Sequence, residues 1–307
     1  MKIFSGSANK PLAEKVAKQL SLELSPIELF VFPDGEKRIQ IQESVVDEHC
    51  VVVQPTSTPV AENYMELFFI IDGLKRSGAS EVTVVMPYVG YQRQDHVFRS
   101  GEAVSLDVVI QTMEALGVSK IIALDFHSIK IPELFHIPVV QLSAMPLFAD
   151  VIATPSARND DCVLVSPDMG GLRRISKMSE LLNGMPWIAT VKDRDLATGK
   201  IEIKSIDGQD KDMDLDGKEV FMVDDMISSG GTIVKAAQLL KEKGVTKVSA
   251  FVTHPIFSQE APTLLQESIL DAVYVTDGVF VPEEKHFPKL HVLSIAEMVA
   301  TSLQETQ

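Results

Sequence analysis

The sequence predicts an α/β protein of two similar domains, each a mainly parallel sheet flanked by helices. Three observations carry this. A unit of amphipathic helix, glycine, short linker and apolar strand recurs; the strands are continuously apolar; and polar, glycine-rich segments follow them. A strand that is apolar on both faces needs cover on both, which the crossover helices of a parallel sheet supply.

In chain order, FPDGE at residues 32–36 reads as a turn leading into a strand, and HCVVVQP at 49–55 as a buried strand. A helix over residues 65–80 runs into VTVVMP at 82–87, and a second over 107–120 into IIALDFH at 121–127. Residues 143–161, rich in alanine, proline and polar side chains, read as the junction between the halves. DCVLVSP at 161–167 and EVFMVDD at 219–225 are further strands, with a hairpin over 191–203 between them. A third helix, over 235–247, leads into VSAFVTH at 248–254. Gly78, Gly117 and Gly244 hold equivalent places, where a helix stops in the left-handed conformation. A chain of 307 residues has room for about two domains. They are expected over residues 1–143 and 144–289, with 290–307 packing back on the first as a helix.

With 45% hydrophobic and 23% charged residues, the chain has the balance of a globular protein. Its formal net charge of −15 argues against a nucleic acid or an anionic membrane as partner, since both need a basic face. No apolar run approaches the roughly 20 residues of a membrane span, and the start lacks the apolar stretch of a signal peptide. A cytoplasmic location is therefore expected. Cys50 and Cys162 are too few and too far apart for a disulfide framework or a zinc site, and are expected to be buried thiols. An anionic ligand needs a local basic cluster, and two exist, at residues 93–99 and 192–194.

Ligands of open α/β sheets bind beyond the carboxyl ends of the strands. Residues 220–232, VFMVDDMISSGGT, put the paired acids Asp224 and Asp225 at such an end. Ser228, Ser229, Gly230, Gly231 and Thr232 then form a loop at a helix N-terminus. Backbone N–H groups and hydroxyls there suit a phosphate dianion, and the acids suit vicinal sugar hydroxyls, directly or through Mg²⁺. Three more strand ends are polar: PYVGYQRQD at 87–95, DFHS at 125–128 and SPDMGG at 166–171. The hairpin carries a basic tip at Lys192 and Arg194.

Taken in order along nearly the whole chain, these motifs resemble those of the ribose-phosphate diphosphokinases. Residues 220–232 alone are also similar to the phosphoribosyl-diphosphate loop of type I phosphoribosyltransferases, whose fold the resemblance implies for both halves. It implies that Phe32 stacks on the adenine of ATP, with Gly35 in the turn and Asp34 and Glu36 accepting from the base's amino group. Arg93, Gln94 and Asp95 fall in the triphosphate-holding motif, His127 and Asp168 on Mg²⁺. Lys192 and Arg194 would close over the transferring group. The substrates implied are ATP and ribose 5-phosphate, whose anomeric hydroxyl attacks the β-phosphorus and expels AMP. A homo-oligomer is implied as well, with the loop around Phe32 to Glu36 completing a neighbour's ATP site.

The family's Asp-Thr-Gly-Gly-Thr loop reads Ser-Ser-Gly-Gly-Thr here, one carboxylate fewer, and Asp193 separates Lys192 from Arg194 where many members carry Lys-Arg-Arg. Gly101, Ile129, Pro132 and Val140 stand where regulated members carry polar or basic residues, which implies weak or absent ADP inhibition at a separate site. Three other readings compete. A type I phosphoribosyltransferase is disfavoured by the chain length, the two similar halves and the motifs at Phe32 and Arg93, a non-catalytic subunit by the survival of Lys192, Arg194, Asp168 and His127, and a plain nucleotide-binding module by the paired Asp224 and Asp225.

Overall fold

The computed structural model describes residues 1–153, 161–194, 201–208 and 210–305, with side chains described except at 191–194 and 201–206. The chain divides into two compact units. The first is Met1–Ser143 with Asp277–Phe280 and the chain from Ser294; the second is Ala144–Thr276 with Val281–Leu293.

The first unit opens with β1 (Lys2–Ser5), α1 (Lys10–Gln19), β2 (Ile27–Val31), β3 (Lys37–Ile41) and β4 (His49–Val53). It continues through α2 (Val60–Arg76), β5 (Glu81–Met86), α3 (Ser105–Ala115), β6 (Lys120–Leu124) and β7 (Val139–Leu142). Five strands form one parallel sheet in the order β1-β4-β5-β6-β7, while β2 and β3 pair antiparallel as a separate hairpin. On α2, Leu67, Ile70, Ile71 and Leu74 are fully buried against Val52, Val84 and Ile121 of the sheet, the spacing of a single apolar stripe.

The second unit holds α4 (Met145–Ile152), β8 (Cys162–Ser166), α5 (Leu172–Leu181), β9 (Trp187–Arg194), β10 (Ile201–Asp207) and β11 (Glu219–Ile227). Then come α6 (Gly231–Glu242), β12 (Lys247–Pro255), α7 (Ala261–Glu267), β13 (Ala272–Thr276) and β14 (Leu290–Leu293). Its seven strands run β10-β9-β8-β11-β12-β13-β14, parallel except for the β9–β10 hairpin. The last helix, α8 (Ala296–Glu305), lies in the first unit and packs on α1.

The recurring unit of the sequence is present three times. Gly78, Gly117 and Gly244 each stand two residues past the last residue of a helix, with φ of +94°, +94° and +86°. In each, the glycine N–H and the next N–H fold back onto carbonyls of the last turn, as Ala79 N to Leu74 O, Val118 N to Met113 O and Val245 N to Leu240 O. The helices begin earlier than the apolar pattern suggests, at Val60, Ser105 and Gly231, and their first turns already place Val60, Leu106 and Ile233 against the cores. The strand expected to end at Asp225 continues to Ile227. Its neighbour β8 pairs with it only as far as Met222, whereas β12 accompanies it to Pro255 opposite Ile227. The paired acids thus occupy a stretch of strand with β12 on one side and no paired strand on the other. Cys50 and Cys162 are buried free thiols, and burial pushes the Cys50 thiol up to about 11. Among the described residues no helix is long and apolar enough to cross a membrane.

Candidate active site

In the first unit the functional candidates stand on three loops. Between β2 and β3, the turn closes through Phe32 N to Glu36 O at 2.8 Å and Gly35 N to Phe32 O at 2.9 Å. Gly35 sits at φ +92°, which a side chain would strain. Asp34 accepts from Glu36 N at 3.2 Å and stays exposed with Glu36. Phe32 is 38% exposed; its ring meets Phe30 edge-on at 4.9 Å, with the Arg38 guanidinium 6.0 Å from its centre. An exposed aromatic ring on a rigid turn is suited to stacking on a planar base.

What holds this hairpin is a buried ion pair. Lys37 Nζ lies 3.0 Å from a Glu66 carboxylate that is completely buried on α2. Glu66 also accepts from Ser7 N at 2.5 Å, Ser7 Oγ at 2.8 Å and Gln54 Nε2 at 3.4 Å.

The second loop follows β5. Tyr88, Val89 and Gln92 are buried, while Arg93 and Gln94 are exposed and Asp95 is half-buried with its Oδ1 2.6 Å from His96 Nδ1. Gly90 is wedged so tightly that a Cβ there would lie 2.5 Å from the Thr56 carbonyl oxygen; its N–H donates to Thr56 Oγ1 at 2.8 Å. Tyr64 OH donates to Gly90 O at 2.9 Å, and Tyr91, at φ +62°, stacks on Tyr64 at 5.7 Å. The third loop follows β6, where His127 is exposed and its N–H donates to Gln92 Oε1 at 3.0 Å. Gln92 therefore joins the loop of Arg93 and Gln94 to that of His127. Its Nε2 is buried without a hydrogen-bond partner among the described residues.

In the second unit, Ser166 Oγ donates to the Asp168 carbonyl at 2.7 Å, and Asp168 Oδ1 accepts from Gly170 N at 3.0 Å, closing a tight turn before α5. Asp224 and Asp225 have only 15% and 6% of their side chains exposed. One side chain serves both: Arg174 Nη1 stands 3.0 Å from Asp224 Oδ1 and Nη2 3.2 Å from Asp225 Oδ1. Burial, and then the charge of Asp225, push the Asp224 carboxyl well above the usual carboxylate range, while Arg174 pulls it down. Beyond β11, Gly230 at φ +80° starts α6 with no side chain capping its first N–H groups, and Ser229 is exposed. Gly231 and Thr232 form the first turn, and Ser228 Oγ lies 3.0 Å from Ser258 Oγ. Free amides at a helix start favour an anion.

The structure thus gathers Arg93, Gln94 and His127 in the first unit, and Asp168, Asp224, Asp225 and the 228–232 loop in the second. Lys192 and Arg194 lie on β9, in register with Ile203 and Ile201 of β10; their side chains, and residues 195–200 of the expected catalytic loop, lie outside the described residues. Sequence reasoning gave no role to Gln92, Glu66 or Arg174. Arg174 left a trace, since a residue in the first turn of a helix leans back toward the preceding strand end.

Residues 1–117 match the N-terminal domain of ribose phosphate pyrophosphokinase, and 203–306 the phosphoribosyl synthetase-associated domain. Among curated proteins, ribose-phosphate pyrophosphokinase 2 of Enterococcus faecalis is 37% identical over 304 residues, covering 99% of this chain and 92% of the relative. Ribose-phosphate pyrophosphokinase 1 of Listeria monocytogenes is 38% identical over 303 residues, covering 99% and 93%. The crystal structure of phosphoribosylpyrophosphate synthetase from Mycobacterium smegmatis superposes with a TM-score of 0.89 at 32% identity, covering 99% of this chain and 98% of that one.

Proposed function

The chain belongs to the ribose-phosphate pyrophosphokinase family, and on that premise we propose that its first unit holds ATP and its second holds ribose 5-phosphate. It is a diphosphotransferase: the anomeric hydroxyl of ribose 5-phosphate takes the diphosphate of ATP, the bond between the α- and β-phosphoryl groups breaks, and AMP leaves. The observation that carries the assignment of sites is the pair of largely buried carboxylates on β11, followed at once by an uncapped helix start. Acceptors for a vicinal diol and donors for a phosphate stand on one strand-to-helix turn.

Asp224 and Asp225 accept from the ribose hydroxyls, and the backbone of Ser228 to Thr232 receives the 5-phosphate. In the first unit Phe32 stacks on adenine, Asp34 and Glu36 accept from its amino group, and Arg93 and Gln94, with Asp95, hold the phosphates. Lys192 and Arg194 supply positive charge to the transferring group. The chain's work is alignment and charge stabilisation, as in other phosphoryl transfers.

The metal fitting this site is Mg²⁺. Among the described residues no three His, Cys, Asp or Glu side chains gather to cage an ion, which suits a cation held largely by substrate phosphates and one or two carboxylates. Asp168, an oxygen donor fixed by its own turn, fits that role; His127, a nitrogen donor, fits it less well. Bound there, Mg²⁺ would neutralise charge on phosphate oxygens. The exposed Phe30, Val31 and Phe32 on the hairpin suit a homo-oligomer in which this turn completes a neighbour's ATP site. A cytoplasmic location fits the substrates.

The test is phosphorus NMR of ribose 5-phosphate and Mg-ATP with the protein and with Lys192→Ala. AMP and a sugar diphosphate should appear and be suppressed in the variant. Unchanged turnover in the variant would remove Lys192 from the site.

A further inference from the structure

We propose that Arg174 is a positioning residue for the sugar: its guanidinium clamps Asp224 and Asp225 in the arrangement that accepts a vicinal diol, and locks them to the turn that carries Asp168. This rests on the reading of β11 as the ribose 5-phosphate site.

Successive side chains of a strand normally point to opposite faces. Here both carboxylates reach one guanidinium, each through a different nitrogen, at 3.0 and 3.2 Å. A planar fork can do this; the single point charge of a lysine cannot. Arg174 comes from the first turn of α5, directly after the Asp168 turn, and its side chain is only 17% exposed. Its seat is shared with that turn. A Cβ at Gly171 would lie 2.3 Å from Ser166 Oγ and 3.4 Å from Arg174 Nη1, and Ser166 Oγ is the group that donates to the Asp168 carbonyl. Glycine at 171 therefore lets the guanidinium and the turn occupy their places together. Displacing either shifts the other, so the spacing between Asp168 and the sugar-side acids is set by one side chain.

The experiment is calorimetric titration of ribose 5-phosphate, without ATP, into the wild type, Arg174→Met, Arg174→Lys and Gly171→Ala, with steady-state KM values alongside. Arg174→Met should weaken ribose 5-phosphate binding roughly 10–100-fold while the KM for Mg-ATP stays within about twofold. Arg174→Lys should recover only part, and Gly171→Ala should weaken binding in the same direction without removing any charge. A second, ligand-free readout is thermal melting. Arg174→Met should lower Tm by roughly 5–10 °C, and adding Asp224→Asn should restore most of it, because the uncompensated repulsion is gone. If the wild type binds and Arg174→Met binds equally well, or if both KM values rise together, the positioning role fails and the sugar site stands. If the wild type does not bind ribose 5-phosphate, the site assignment itself falls and the proposal falls with it.

Discussion

The two units bury acidic side chains and settle them differently. Glu66 in the first has no exposed side-chain surface and accepts from Lys37, Gln54 and both the backbone and hydroxyl of Ser7. Asp224 and Asp225 in the second share one guanidinium, Asp224 also accepts from the Asp225 N–H at 2.9 Å, and burial and its neighbour's charge drive Asp224 toward its neutral form. A carboxylate supplied with donors from three other elements is a fixture of the fold. Two carboxylates that share one guanidinium sit side by side, and each raises the cost of charge on the other. Burial alone does not decide whether an acid keeps its charge; what meets that charge does.

Breaking the saturated site should have the largest effect. Lys37→Met leaves Glu66 charged and buried without its cation, so urea unfolding should report a loss of about 3–5 kcal/mol. A loss below about 1 kcal/mol would erase the contrast.

The crowded pair should respond in the opposite sense. The folded Asp224 carboxyl holds its proton more tightly than the unfolded chain does, so its contribution favours folding in acid and is lost as pH rises through the elevated folded value. Melts of the ligand-free protein from about pH 4 upward should show Asp224→Asn matching the wild type in acid and exceeding it near neutrality. The same variant should weaken ribose 5-phosphate binding about tenfold or more. A variant less stable than wild type at neutral pH would show that the pair is a fixture like Glu66.

A smaller change is expected at Gln92. Gln92→Leu removes the acceptor of the His127 N–H, and the KM for Mg-ATP should rise by roughly 3–10-fold with little change for ribose 5-phosphate. Steady-state kinetics in both substrates decides it. Smallest of all is the exposed pair of Arg76 with Asp72 at 2.7 Å, where Arg76→Ala should leave the urea midpoint unchanged.

The sequence was most legible where structure is local. A glycine just past a helix end and an apolar run after it need no distant partner, and all three helix–glycine–strand units are found. Legibility fell where a partner far along the chain decides. The length of β11 is set by β12 and by the early end of β8, so the acids were expected at the strand's end and lie within it. Arg174 meets Asp224 across 50 residues, Gln92 meets His127 across 35, and Ser7 meets Glu66 across 59. None of these pairings has a periodicity or a motif to announce it. The motifs located the loops of the candidate site; they were silent on what braces those loops.

The hydrogen bond from His127 N–H to Gln92 Oε1 has a use beyond holding two loops together. Most protected amides in a parallel sheet report on the sheet, opening only when strands separate. This one is held by a side chain of a neighbouring loop, so its exchange with solvent deuterium also reports the closeness of two loops. The molecule carries its own gauge of when these two loops meet.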